Sequence, residues 1–206
     1  MRKPTTLLQA LALGLAGAML TTATSLAVPI TYTLQATATG SLGGVAFTDA
    51  DVLLTMNNDA SNVIGGPTLF EILGTVTVSV NGAAPLTFTD SMEVFSAPNL
   101  STATVGFTDL TIGLDVLDDS SVSFQNYDLR TPIGPIFGNP AFSSLSQSFP
   151  TTGGALILTS VPDNTSTFTA TTVAVPAPGG LPVVVAFVSV LFATKLLKRS
   201  RKRRHL

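Results

Sequence analysis

The feature that most constrains the fold of this chain is a two-residue alternation of apolar and polar side chains in its middle part. Such runs occupy residues 30–36, 76–80 and 110–116. Alternation with a period of two places the apolar side chains on one face of an extended strand, whereas helical patterns repeat about every 3.6 residues. The runs therefore predict strands that are packed on one face and solvated on the other.

Short clusters of turn-forming residues separate these runs. They are Gly43-Gly44, Asn57-Asn58-Asp59, Gly65-Gly66-Pro67, Asn81-Gly82, Asp118-Asp119, Gly138-Asn139-Pro140 and Gly153-Gly154. Residues 118–125 have room for one helical turn, but no segment has room for a long helix. Many short strands at this spacing predict an all-β domain over residues 28–174, built as an antiparallel β-sandwich.

The charges are few and unevenly distributed. The chain is 45% hydrophobic and 11% charged, and all twelve acidic residues lie between Asp49 and Asp163. Of the ten Lys and Arg residues, only Arg130 lies in that interval. Because bases that flank hydrophobic segments stay in the cytoplasm, this pattern predicts that both ends point inward and the acidic middle points outward. The absence of cysteine excludes disulfides, zinc–thiolate sites and a cysteine nucleophile.

The N-terminal residues have the pattern of a signal peptide. Arg2 and Lys3 precede an apolar run at residues 7–20, and Ser25-Leu26-Ala27 follows. This order predicts a signal helix within residues 1–27 and cleavage between Ala27 and Val28, with the Sec translocon and signal peptidase as partners. Ala23-Thr24-Ser25 is a second possible cleavage site, and an uncleaved helix is the alternative.

The C-terminal part predicts a single transmembrane helix. Residues 181–197 are apolar except for Ser189, Thr194 and Lys195, and would span about 25 Å as a helix in membrane lipid. A buried helix or strand is the alternative. Residues 198–206 form a basic cytoplasmic tail. Its stop-transfer bases are Lys198, Arg199, Arg201, Lys202, Arg203 and Arg204. Since a stop-transfer role explains this cluster and the exported part is acidic, no nucleic-acid binding is predicted.

A Pro- and Gly-rich segment, residues 175–180, precedes the hydrophobic stretch. The residues that define the predicted sorting motif are Val175, Pro176, Ala177, Pro178 and Gly179. Proline and glycine favour extended, exposed backbone with few hydrogen bonds, which a protease can bind. The segment is therefore predicted to be a processing site and a linker.

The order of proline motif, hydrophobic helix and basic tail resembles the PEP-CTERM family of C-terminal sorting signals, in its Val-Pro-x-Pro variant. Pro176 and Pro178 match the motif prolines, and Ala177 stands where the family has a central Glu. The resemblance implies a Gram-negative host and recognition by an exosortase. It also implies anchoring in the inner membrane before transfer to the cell surface or a polysaccharide matrix. Phe88-Thr89-Asp90-Ser91 and residues 127–135 resemble uncharacterised secreted proteins that carry this tail.

The residue types available for catalysis are limited. The only histidine, His205, lies in the predicted cytoplasmic tail, so a Ser-His-Asp triad or a histidine metal site is not expected outside. Two carboxylates would suffice for a glycosidase. However, Glu71 and Glu93 are the only glutamates, and the chain has no Trp and two Tyr to form sugar platforms. The chain is predicted to be non-enzymatic and to need no cofactor.

Two groups of oxygen-bearing side chains are candidate calcium ligands, because calcium takes six to eight oxygen ligands. One group comprises Asp49, Asp51 and Asp59 with Asn57 and Asn58, and the other comprises Asp115, Asp118 and Asp119. Neither group has the spacing of an EF-hand loop or a nonapeptide repeat. Solvated turns are the favoured interpretation, and no metal site is predicted.

These observations together predict an exported, non-enzymatic surface or extracellular-matrix protein that an exosortase sorts and processes. The resemblance adds exopolysaccharide as a possible partner. The first alternative is a calcium- or glycan-binding adhesion module held by a plain C-terminal membrane anchor. The second is a glycosidase that uses two carboxylates.

Overall fold

The computed structural model describes residues 28–140 and 144–172. Within these ranges the chain forms twelve β-strands and two short 3₁₀ helices, Ala60–Asn62 and Val122–Phe124. This part of the chain contains no helix that is both long and apolar enough to cross a bilayer. The predicted signal helix, sorting motif, transmembrane helix and basic tail all lie outside the described residues.

The larger sheet has seven antiparallel strands in the order β10-β12-β1-β2-β5-β6, and β11 also pairs with β1. Its strands are β1 (Pro29–Leu42), β2 (Val45–Asp59), β5 (Val76–Val80), β6 (Leu86–Thr87), β10 (Ile133–Gly138), β11 (Leu156–Ser160) and β12 (Ser166–Thr172). The first two strands form a long hairpin closed at Gly43 and Gly44. Ile30 pairs with Thr172, so the first and last described strands lie side by side at their outer ends.

The smaller sheet has five antiparallel strands in the order β3-β4-β7-β8-β9. They are β3 (Ile64–Gly66), β4 (Leu69–Gly74), β7 (Met92–Ala97), β8 (Thr104–Asp109) and β9 (Leu114–Ser120). All six residues of β8 are buried, so this central strand is covered on both faces. A bulge between Phe107 and Thr108 shifts the register of β8 with β9.

The two sheets contribute to one hydrophobic core. The alternating residues Ile30, Tyr32 and Leu34 of β1 point into it, as do Val94 of β7 and Phe107 of β8. Burying a large apolar side chain contributes about 1.5–3 kcal/mol, so this shared cluster is the main source of stability. In β1 and β5, the apolar positions of the period-two pattern are therefore the ones whose side chains face the core.

The segment after β9 brings further aromatic side chains into the core. Phe124 and Tyr127 pack edge-on against Phe168 of β12, with ring centroids 5.7 and 6.0 Å apart. The buried hydroxyl of Tyr32 donates a hydrogen bond of 2.6 Å to the carbonyl of Leu129. This contact ties the segment to β1 across a sequence separation of 97 residues.

The predicted all-β fold of antiparallel sheets is confirmed. Three details differ from the prediction. The strands are not all short, because β1 and β2 have 14 and 15 residues. Asp118-Asp119, predicted as a turn, lies inside β9, and the run at residues 110–116 is a strand only from Leu114 onward. The predicted helical turn exists as the 3₁₀ helix Val122–Phe124.

Candidate functional site

A cavity of about 320 Å³ lies where β9 and β10 end. This volume is at the lower end of the range for small-molecule sites. Five polar residues, two apolar residues and a glycine line it. They are Thr102, Ser120, Ser121, Val122, Phe137, Gly138, Asn139 and Asn164. None of these side chains carries a charge, so the cavity suits a neutral ligand.

One pair of backbone hydrogen bonds joins the two sheets at this cavity. The N–H of Ser120 donates to the carbonyl of Asn139 over 2.9 Å, and the N–H of Asn139 donates back over 3.2 Å. Ser120 ends β9 in the smaller sheet, whereas Asn139 directly follows β10 in the larger sheet. The two-way bond fixes both residues, and the cavity wall is therefore anchored in both sheets.

Asn164, another residue of the lining, is bonded to Asn139. Its backbone N–H donates to the side-chain carbonyl oxygen of Asn139 over 3.1 Å. Its φ of 59° lies in the left-handed region, which asparagine tolerates better than most residues. This bond joins two of the residues that line the cavity.

Two large apolar side chains at the cavity are exposed. Phe137 is 74% exposed and Val122 is 70% exposed, although Ile136 beside Phe137 is partly buried and Phe124, in the same 3₁₀ helix as Val122, is fully buried. An exposed aromatic ring beside hydroxyl and amide groups combines an apolar contact surface with hydrogen-bonding groups. This combination is typical of small-molecule sites, in which a few polar groups orient a ligand against an apolar wall.

A buried carboxylate lies directly behind the cavity. Asp119 is 0% exposed, and its Oδ1 accepts a hydrogen bond of 2.9 Å from the hydroxyl of Ser166. Burial raises the pKa of Asp119 above its ordinary value, and the bond from Ser166 partly opposes this shift. A side chain on Gly138 would overlap Oδ1 of Asp119, so glycine permits the close approach of the two strands.

A second group of carboxylates lies on the outer face of the smaller sheet. Glu93 is 7% exposed, and burial, together with nearby Glu71 and Asp115, raises its pKa to about 7. The carboxylate of Asp115 accepts a hydrogen bond of 2.7 Å from the hydroxyl of Thr108. None of these residues lines the cavity described above.

The first group of candidate calcium ligands is spread along one strand. Asp49, Asp51 and Asp59 all belong to β2, which is extended. At about 3.3 Å per residue, the first and last of them lie about 30 Å apart. Asp59 instead caps the following 3₁₀ helix by accepting a hydrogen bond of 2.8 Å from the N–H of Ser61.

The second group lies on β9 but does not converge either. Asp115 and Asp118 pair with Thr108 and Gly106, which share one face of β8, whereas Asp119 pairs with Val105 on the core face. In residues 28–140 and 144–172, no three His, Cys, Asp or Glu side chains are placed to hold a metal ion. Successive side chains of a strand point to opposite faces. Asp118 and Asp119, which sequence analysis placed in one turn, therefore lie on opposite faces of β9.

Sequence analysis did not find the cavity. Its residues come from four separate parts of the chain, so no local motif marks it. The one usable signal is the turn cluster at Gly138-Asn139-Pro140, which follows the apolar Ile136-Phe137 pair. The predicted sorting-motif and stop-transfer residues lie outside the described part of the chain, as does Ala27 of the predicted cleavage site. Val28, the other cleavage residue, is exposed immediately before β1.

Comparison with known proteins gives no match: no family model, curated protein or solved structure is detectably similar to this chain.

Proposed function

We propose that this chain is a non-enzymatic, exported surface or extracellular-matrix protein of a Gram-negative bacterium. An exosortase reads residues 175–180, residues 181–197 hold the chain in the inner membrane, and the basic tail stays in the cytoplasm. The single observation that carries this proposal is the order of proline motif, apolar stretch and basic cluster in the sequence. Three elements in this order indicate a sorting signal more specifically than any one of them does alone.

The limits of the described β-structure support these boundaries. Strand β1 begins at Pro29, two residues after the predicted cleavage position at Ala27. Strand β12 ends at Thr172, three residues before Val175. The proposed cleavage position therefore precedes the first described strand in sequence, and the proposed sorting motif follows the last one. The exported part is then a β-sandwich made of the two sheets.

The non-enzymatic role rests on the chemistry of the available residues. The cavity lining contains no titratable side chain that could act as an acid or base. Glu93 has a raised pKa but lies on the other face of the smaller sheet from the core, away from this cavity. The alternative is an adhesion module on a plain anchor, and the described structure adds no support for its calcium component, because the candidate Asp ligands do not converge.

The test is the intact mass and cell fraction of the protein from its own host, with and without the exosortase gene. We expect a form that begins at Val28 and ends within residues 175–180, found outside the inner membrane only when the exosortase is present. Replacing both Pro176 and Pro178 with Ala should reproduce the loss of this form. Pro67→Ala, which changes an exposed turn of the domain, is the matched control and should be processed normally.

A chain that retains residues 181–206 in the inner membrane of both strains would contradict the sorting proposal. That result would support a tail-anchored periplasmic domain instead. A shortened form of identical mass in both strains would show that a different protease cuts the chain.

A further inference from the structure

We propose that the cavity between β9 and β10 binds a neutral saccharide, with the ring of Phe137 as the surface on which a sugar packs. This inference concerns the domain alone, so it does not depend on whether an exosortase sorts the chain. It begins from the exposure of Phe137, which is 74% accessible beside a polar cavity. The carbon–hydrogen face of a sugar ring can cover such an aromatic ring, while its hydroxyl groups remain available for hydrogen bonds.

The polar groups of the lining match what a sugar presents. Thr102 and Ser121 offer hydroxyl groups, which both donate and accept, and Asn139 and Asn164 offer amides. A saccharide hydroxyl likewise donates and accepts. The lining therefore combines the ring of Phe137 with groups that can donate to and accept from the hydroxyls of a sugar packed on that ring.

The electrostatics favour a neutral ligand over an acidic one. The lining has no basic side chain to pair with a carboxylate, sulfate or phosphate. The side chain directly behind Gly138 is the buried carboxyl of Asp119, which offers an anion no positive charge. The chain between Asp49 and Asp163 also carries twelve acids against one base, so its long-range field opposes polyanions.

Hydrogen bonds hold part of the lining in place. The backbones of Ser120 and Asn139 bond to each other in both directions, and the N–H of Asn164 donates to the side chain of Asn139. Groups held in place lose little conformational freedom on binding, which raises affinity.

The test is calorimetric titration of the full-length protein, solubilised in a detergent without a sugar headgroup so that the detergent cannot compete. The probes are three neutral hexasaccharides, of β-1,4-glucan, β-1,3-glucan and β-1,4-mannan, and one anionic hexasaccharide of mannuronate. We expect saturable binding of at least one neutral probe and no binding of the anionic one.

Phe137→Ala should weaken binding about tenfold, the loss expected for one aromatic contact. Asn164→Gly removes the amide but keeps the left-handed backbone accessible, and should weaken binding in the same direction. The matched control is Val45→Ala, because Val45 is also 74% exposed but lies at the tip of the β1–β2 hairpin. Circular dichroism of each variant shows whether it is folded.

Three results would overturn the inference. They are the absence of saturable binding with every neutral probe, unchanged affinity in folded Phe137→Ala, and an equal loss of affinity in Val45→Ala. Preferential binding of the anionic probe would also overturn it, because the ligand would then be an acidic saccharide. None of these results bears on C-terminal processing, so the two proposals can fail separately.

Discussion

Two tyrosines share the aromatic cluster of the core but use their hydroxyl groups differently. The hydroxyl of Tyr32 donates to the carbonyl of Leu129, whereas the buried hydroxyl of Tyr127 has no hydrogen-bond partner among the described residues. Removing a hydroxyl that satisfies a buried carbonyl leaves that carbonyl unpaired, which is costly. Removing an unpaired buried hydroxyl carries no such cost.

We therefore expect Tyr32→Phe to lower the free energy of unfolding by about 1–3 kcal/mol. Tyr127→Phe, the matched control in the same cluster, should leave it unchanged or slightly higher. Urea unfolding followed by circular dichroism measures both values. Equal losses in the two variants would show that ring packing, not the bond to Leu129, determines the contribution of Tyr32.

Glu93 gives the stability of the domain an unusual dependence on pH. Its pKa is raised from an ordinary 4.5 to about 7 in the folded chain. Between these two pH values the folded state holds a proton that the unfolded state has released. The free energy of unfolding therefore falls as pH rises across this window, the reverse of ordinary acid denaturation. The raised pKa values of Asp115 and Asp119 act in the same direction.

We expect the protein to unfold at lower urea concentration at pH 8 than at pH 5. Glu93→Gln, which is neutral at every pH, should reduce this difference and stabilise the protein at pH 8. Asp163→Asn, which changes an exposed carboxylate, serves as the control and should leave the difference intact. A pH dependence that is the same in Glu93→Gln and in the unchanged protein would rule out Glu93 as its source.

At the scale of single residues, the sequence predicts burial well where apolar side chains alternate and poorly where acids are buried. Tyr32 and Leu34 are fully buried, as their alternation indicates. Asp118 and Asp119 are also fully buried, although a pair of aspartates is typical of a turn. Their burial depends on strands from elsewhere in the chain that cover β9, which local composition does not reveal.

At the scale of the elements, β9 and β10 approach each other closely because Gly138 has no side chain. A methyl group there would overlap the carboxylate of Asp119 and lie 2.5 Å from the carbonyl oxygen of Ser120. Both neighbours are buried or fixed in backbone hydrogen bonds, so neither can move away freely. This corner therefore tolerates little added volume.

We expect Gly138→Ala to destabilise the protein by about 1–3 kcal/mol, as overpacking usually does. Gly66→Ala is the matched control, since Gly66 also ends a strand but has open space where a methyl group would lie. Its effect should be neutral or slightly stabilising. Comparison of thermal midpoints decides the prediction, which fails if the two variants differ by less than the measurement error.

The existence of the elements was easier to predict than their limits. The hairpin turn at Asn81-Gly82 has positive φ at both residues, 51° and 69°, as the sequence pair indicates. The run at residues 110–116 was misleading because Asp109 closes a turn by accepting a 2.8 Å bond from the N–H of Thr111. A local side-chain bond thus replaced the first half of a strand that periodicity alone predicts.

At the scale of the whole molecule, alternation determines which face of a strand is buried but not which strand lies beside it. The all-β class follows from the pattern, whereas the pairing of β12 with both β1 and β10 does not. The cavity depends on this long-range order, because it joins residues from before β8 to the turn that precedes β12. The terminal signals are local in sequence, and for that reason the sequence alone could propose them.

The place of β12 between β1 and β10 determines how tension would pass through the domain. A pull between the cavity and a connection beyond Thr172 runs parallel to β12, so its hydrogen bonds to both neighbours are strained together. A pull applied through the segments before Ile30 and beyond Thr172 acts at this pair of residues. There it separates β1 from β12 one hydrogen bond at a time. The direction of the force therefore decides whether the sheet resists as a unit or opens from its end.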